Sequence, residues 1–95
     1  MNKYEVMFIV RPDMEEADIK NTAETIKKVL TDAKANILEE KALGQKELAY
    51  EIKKYTTGYY YLLVVEASKE AEQELNRVAR INENLLRHLI VKVEE

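Results

Sequence analysis

Apolar residues recur along this chain at two spacings, about two residues in some segments and about 3.6 in others, and the order of those segments predicts the fold. In residues 4–10, Tyr4, Val6, Phe8 and Val10 fall on one parity. Met7 and Ile9 share the other parity with Lys3 and Glu5. β-branching and the stop at Arg11-Pro12-Asp13 predict a strand. Asp13, with Glu16 three residues on, predicts a capping box. Ile19, Ala23, Ile26, Leu30 and Ala33 then form a helical stripe at spacings of 4, 3, 4 and 3. Residues 35–50 hold two strand-like pieces around Gly44, where a bulge or sharp bend is expected. The first begins at Ile37 and Leu38, and Leu48, Tyr50 and Ile52 alternate in the second. Polar residues 53–58 predict a hairpin connection, and residues 59–67 a strand rich in Tyr, Leu and Val. Ser68 predicts the cap of a second helix carrying Ala71, Leu75, Val78 and Ala79 on one side. Asn82-Glu83-Asn84 ends it, and residues 85–93 form the last strand.

The order β-α-β-β-α-β predicts an α+β, ferredoxin-like domain spanning residues 1–95: a four-stranded antiparallel sheet with both helices on one face. Two helices cover one side of such a sheet, so a solvated reverse side should be polar. It is not. With Glu66 pointing outward, Tyr60, Leu62 and Val64 share its side. Lys3 and Glu5 bring Met7 and Ile9 with them, and an outward Arg87 brings Leu89, Val91 and Val93, leaving His88 and Ile90 toward the helices. Met7, Ile9, Tyr60, Leu62, Val64, Leu89 and Val91 are therefore expected to form one uncovered apolar surface, a partner site by its nature. No loop or tail is expected to cover it. Self-association and docking of a different chain fit this pattern equally.

Composition removes most other functions. The chain has 95 residues, too few for two independent cores, with 46% hydrophobic and 35% charged residues. Having no cysteine, it has no disulfides, thiol chemistry or thiolate metal sites. One histidine, scattered carboxylates and two glycines supply neither a metal site, nor a nucleophile elbow, nor a phosphate-binding glycine loop. An enzyme is not expected, nor a cofactor. No stretch approaches the roughly 20 apolar residues that span a bilayer, and the N-terminus lacks a signal-peptide pattern, so the expected compartment is the cytoplasm. Fifteen Lys and Arg against eighteen Asp and Glu give a net charge of −3. A nucleic-acid-binding domain acting alone usually carries a basic surplus, so any such contact here must come from a local cluster or be shared with a basic partner. Lys3, Lys46, Lys53, Lys54, Arg87 and Lys92, at strand ends or on the open face, are the cations placed to reach phosphates. Tyr60 could stack on a base or fill a protein pocket.

Gly44-Gln45-Lys46-Glu47-Leu48-Ala49-Tyr50-Glu51-Ile52-Lys53 resembles the signature of the bacterial small-subunit ribosomal protein six family. The opening Lys3-Tyr4-Glu5-Val6-Met7-Phe8-Ile9-Val10-Arg11-Pro12 is similar to that family's first strand, and Leu86-Arg87-His88-Leu89-Ile90-Val91-Lys92 to its last. The resemblance covers essentially the whole chain. It implies a ferredoxin-like structural constituent of the small ribosomal subunit. Such a protein binds the central domain of 16S ribosomal RNA as a heterodimer with ribosomal protein eighteen, without DNA or membrane. On that basis Lys3, Lys46, Arg87 and Lys92 are the expected RNA-binding residues, and a heterologous partner is favoured for the apolar face. Where family members often carry two adjacent arginines before Leu-Ala-Tyr, this chain has Lys46-Glu47; lysine lacks the planar fork and glutamate repels phosphate. The rival reading is a homodimeric ferredoxin-like regulatory or ligand-sensing domain, which would need polar groups converging on a pocket at a dimer edge.

Overall fold

The alternation and the two helical stripes become six elements in the computed structural model, which describes residues 1–93. They are β1 (Asn2–Val10), α1 (Glu16–Asp32), β2 (Asn36–Ile52), β3 (Tyr55–Ala67), α2 (Lys69–Ile81) and β4 (Leu85–Lys92). The sheet order is β2-β3-β1-β4 and every pairing is antiparallel. The inward parity of β1 (Tyr4, Val6, Phe8 and Val10) is buried with Leu63, Val65 and Ala67 of β3. Against it lie Ile19, Ala23, Ile26 and Leu30 of α1 and Ala71, Leu75 and Ala79 of α2. Phe8 and Tyr61 stack across the strands with centroids 5.2 Å apart. Both helices thus cover the same side of the sheet.

Helix starts differ in quality. Ser68 caps α2 as expected, its hydroxyl accepting from the Ala71 amide at 3.1 Å. The Asp13 capping box does not form. Glu15 is the N-cap of α1, without a side-chain hydrogen bond. Asp13 instead accepts a 2.6 Å hydrogen bond from the Tyr55 hydroxyl and lies 3.7 Å from the Arg11 guanidinium, tying the loop to the start of β3. Among the described residues Thr22 is the one buried polar side chain, and it is satisfied. Its hydroxyl donates to the Asp18 carbonyl at 2.9 Å and accepts from the Asn84 amide at 3.3 Å.

The second half of the sheet also departs from expectation. The two pieces around Gly44 are one strand, β2, whose register slips at residues 37–39, 42–44 and 47–52. Gly44 sits in the middle slip with φ of 84°, a left-handed conformation suited to glycine. The connection to β3 is two residues, not six. Ile52 pairs with Tyr55, and Lys53 and Lys54 both take positive φ, 50° and 71°. That is the left-handed pair a tight hairpin demands, supplied by lysines in place of Asn-Gly. Non-glycine residues pay roughly 1–2 kcal/mol for this region. The double substitution Lys53→Asn with Lys54→Gly is expected to stabilise the fold by about 1 kcal/mol, read as a higher urea midpoint at unchanged slope. A lowered midpoint would show that the lysines stabilise the turn by other contacts.

Candidate macromolecular interface

Residues directly opposite in an antiparallel pair share a face, so register alone maps the reverse side of the sheet. Leu62, Met7 and Leu89 form one row across β3, β1 and β4, with Lys41 of β2 at its end. The next row toward the β1 N-terminus is Glu39, Val64, Glu5 and Val91. The next row the other way is Gly44, Tyr60, Ile9 and Arg87. Met7, Tyr60, Leu62 and Val64 are half-buried, while Leu89 and Val91 remain 45% and 46% exposed. The apolar residues predicted to share the outward side do share it, and neither helix covers them. Charges frame the patch more than they interrupt it, Glu5 being the exception.

Two expectations are corrected here. Ile9 lies on this face but is only 5% exposed, so it offers little surface to a partner. The face is also not wholly bare. Between Glu47 and Ile52 the register slips so far that residues 48–51 stand opposite Thr56 alone. Residues 48–51, released from the ladder, and Ile52 beside them wall a cleft of about 260 Å³ over one corner of the sheet. Met7, Ile9, Tyr60 and Leu89 line it from the sheet; Leu48, Ala49, Tyr50 and Ile52 line it from the hairpin. Arg87 joins the two sides. Its guanidinium donates to the Tyr50 hydroxyl and lies over the Tyr50 ring, 5.9 Å from the centroid. Sequence periodicity missed this segment because Leu48, Tyr50 and Ile52 alternate as in a regular strand.

Residues 3–92 match the family model for ribosomal protein S6. Two relatives, the small ribosomal subunit proteins bS6 of Shouchella clausii and Halalkalibacterium halodurans, are each 46% identical over 95 residues, all of both chains. This chain belongs to the ribosomal protein S6 family. The fold agrees with the crystal structure of 30S ribosomal protein S6 from Thermotoga maritima at a TM-score of 0.92 and 29% identity, covering 97% of this chain and 87% of that one. The S6 family is one of ribosomal structural proteins, not of enzymes. No helix among the described residues is long and apolar enough to cross a membrane.

The cations expected to meet RNA do not form one cluster in this S6-family chain. Lys46 lies opposite Gly58, on the parity of the open face, whereas Glu47 lies opposite Thr57 on the other parity. The glutamate therefore does not share the lysine's surface. Arg87 is on the open face but engaged with Tyr50. Lys3, opposite Glu66, lies six residues along β1 from Ile9, roughly 20 Å from the Arg87 row. Lys92 pairs with Tyr4, which puts it on the helix-side parity of the edge strand. Lys53 and Lys54 occupy the hairpin tip.

His88 faces α2, as its parity requires, with Nε2 2.7 Å from Asn76 Oδ1. Burial pushes the imidazole below its usual range, and the Arg80 guanidinium adds to the shift. The folded protein therefore stays neutral at His88 where the unfolded chain, titrating near pH 6.5, already binds a proton. The stability tied to the neutral ring is complete above about pH 6.5 and declines as pH falls toward the depressed folded value. His88→Gln is expected to flatten this part of the profile, seen as a smaller change in urea midpoint between pH 7.5 and 5 than wild type shows. Parallel profiles would assign the acid sensitivity elsewhere.

Proposed function

We propose that this chain is a cytoplasmic structural constituent of the small ribosomal subunit that binds the central domain of 16S ribosomal RNA jointly with ribosomal protein eighteen, as a heterodimer. The observation carrying this reading is the apolar reverse side of the sheet, where Met7, Tyr60, Leu62, Val64, Leu89 and Val91 lie outside the helix-covered core. A contiguous apolar face of this kind is a docking surface, and a net charge of −3 makes a cationic companion on RNA the natural complement. Lys3, Lys46, Arg87 and Lys92 supply phosphate contacts at the edges of the composite surface, with Lys46 at the hairpin base and Lys3 at the far end of β1. Their dispersal fits a protein that adds flanking contacts to a partner's RNA grip.

The expected behaviour is weak RNA affinity alone, rising at least tenfold when the partner is present and falling steeply with salt. Filter binding of a central-domain RNA fragment, with and without purified ribosomal protein eighteen, reads both effects. Tight, partner-independent RNA binding would overturn the shared surface. Size-exclusion chromatography addresses the rival sensing domain, which requires a stable homodimer.

A further inference from the structure

The cleft beside residues 48–52 has features that a flat docking face does not need. We infer that it is the anchor socket of the protein interface, taking one aromatic or large aliphatic side chain of the docked protein, with Arg87 and Tyr50 fixing its outer wall. The inference rests on the proposal that a protein covers the open face.

Size is the first argument. An apolar cavity of about 150 Å³ accepts a benzene ring, while pockets for drug-sized molecules run from about 300 Å³ upward. At about 260 Å³, the cleft fits one bulky side chain better than a small-molecule ligand. Chemistry is the second. Met7, Ile9, Leu48 and Leu89 present only aliphatic surface or thioether, and the Tyr50 hydroxyl accepts from the Arg87 guanidinium. Besides Arg87 and the two tyrosines the lining carries no polar side chain, so it suits an apolar side chain better than a nucleobase, which is recognised by donors and acceptors along its edge. The guanidinium at the rim opposes entry of lysine or arginine and favours an aromatic ring. Position is the third argument. Met7, Tyr60 and Leu89 belong to both the cleft and the open apolar face, so a protein lying on that face reaches the cleft without a break. Interface energy concentrates in such desolvated sockets.

Construction is consistent with this role. The large register slip frees residues 48–51 from the β3 ladder, so the wall is not held by strand pairing along its length. Contact with Arg87 restrains it from the opposite edge of the sheet. On this reading Arg87 is a positioning residue of the protein interface, in addition to any phosphate contact.

Titration calorimetry with purified ribosomal protein eighteen of the same genome tests the socket. Ala49→Phe plugs it and Tyr50→Ala removes its clasped wall; both positions are exposed, so both variants are expected to retain wild-type circular dichroism. Each should weaken binding by about thirtyfold. Near-wild-type affinity in both, alongside loss of binding in Leu62→Glu, would show that the partner covers the face without using the cleft. If wild type itself fails to bind, the heterodimer proposal falls and the socket with it. Loss of RNA binding by partner-free Ala49→Phe would make the occupant a base, and loss of a wild-type dimer would make it a second copy; either result overturns the inference.

Discussion

Leu62→Glu is expected to reduce affinity for the protein partner by about a hundredfold, or roughly 2.8 kcal/mol, while leaving the isolated fold intact. Leu62 occupies the centre of the reverse side, between Met7 of β1 and Lys41 of β2. In the free chain a glutamate at this half-buried position still reaches water and lies directly across from a lysine, an arrangement that cross-strand pairing favours. Covered by another protein, the same carboxylate loses its water, and the apolar neighbours Met7 and Val64 offer it no hydrogen bond. The asymmetry separates docking from folding. Glutamate at Leu63, on the helix-covered parity and 2% exposed, should instead unfold the chain. Pull-down and circular dichroism of the two variants read the distinction. Retained partner affinity in folded Leu62→Glu would remove the sheet face from the interface.

The fold was legible wherever burial is decided by one side of one element. The α1 stripe from Ile19 to Leu30 follows helical spacing because a single face meets the sheet. The β3 alternation, with Glu66 as its marker, separated Leu63 and Val65 from Leu62 and Val64. That parity also exposed the unusual reverse side. What stayed hidden depends on register. Nothing in the alternation of Leu48, Tyr50 and Ile52 reveals that β2 loses its partner between Glu47 and Ile52, because a slip is set jointly by both strands and the sheet twist. The Lys53-Lys54 turn carries no Asn-Gly signal, so polar residues 55–58 of β3 looked like loop. Asp13 has the chemistry of a cap, but Tyr55 claims its carboxylate from 42 residues away. The cation positions share this limit. Their placement at strand ends and the opposite parities of Lys3 and Lys92 follow from alternation, but the distance between Lys3 and the Arg87 row required the register.

Gly58→Ala is expected to cost about 1–3 kcal/mol, and Gly58→Val more, against the preference of extended strands for β-branched residues. Strand propensity taken alone predicts stabilisation, because glycine weakens a strand interior. Packing decides otherwise. A Cβ at residue 58 would fall well inside contact distance of Ile9 Cγ2, 3.3 Å from the Val10 carbonyl oxygen and 3.6 Å from Leu86 Cδ1. Ile9 and Leu86 are 5% and 8% exposed, so neither side chain can swing into solvent without losing its own burial. Gly58 is therefore what lets Ile9 settle on the sheet as the floor of the cleft. Two measurements follow. Urea denaturation should show that the double variant Gly58→Ala with Ile9→Ala is more stable than the sum of the single losses allows, because the crowding partner is gone. Partner affinity should also fall in Gly58→Ala, since a displaced Ile9 invades the socket. Strict additivity, or a Gly58→Ala chain as stable as wild type, would show that the close approach at Ile9 relaxes freely and that the floor of the cleft is not built on this glycine.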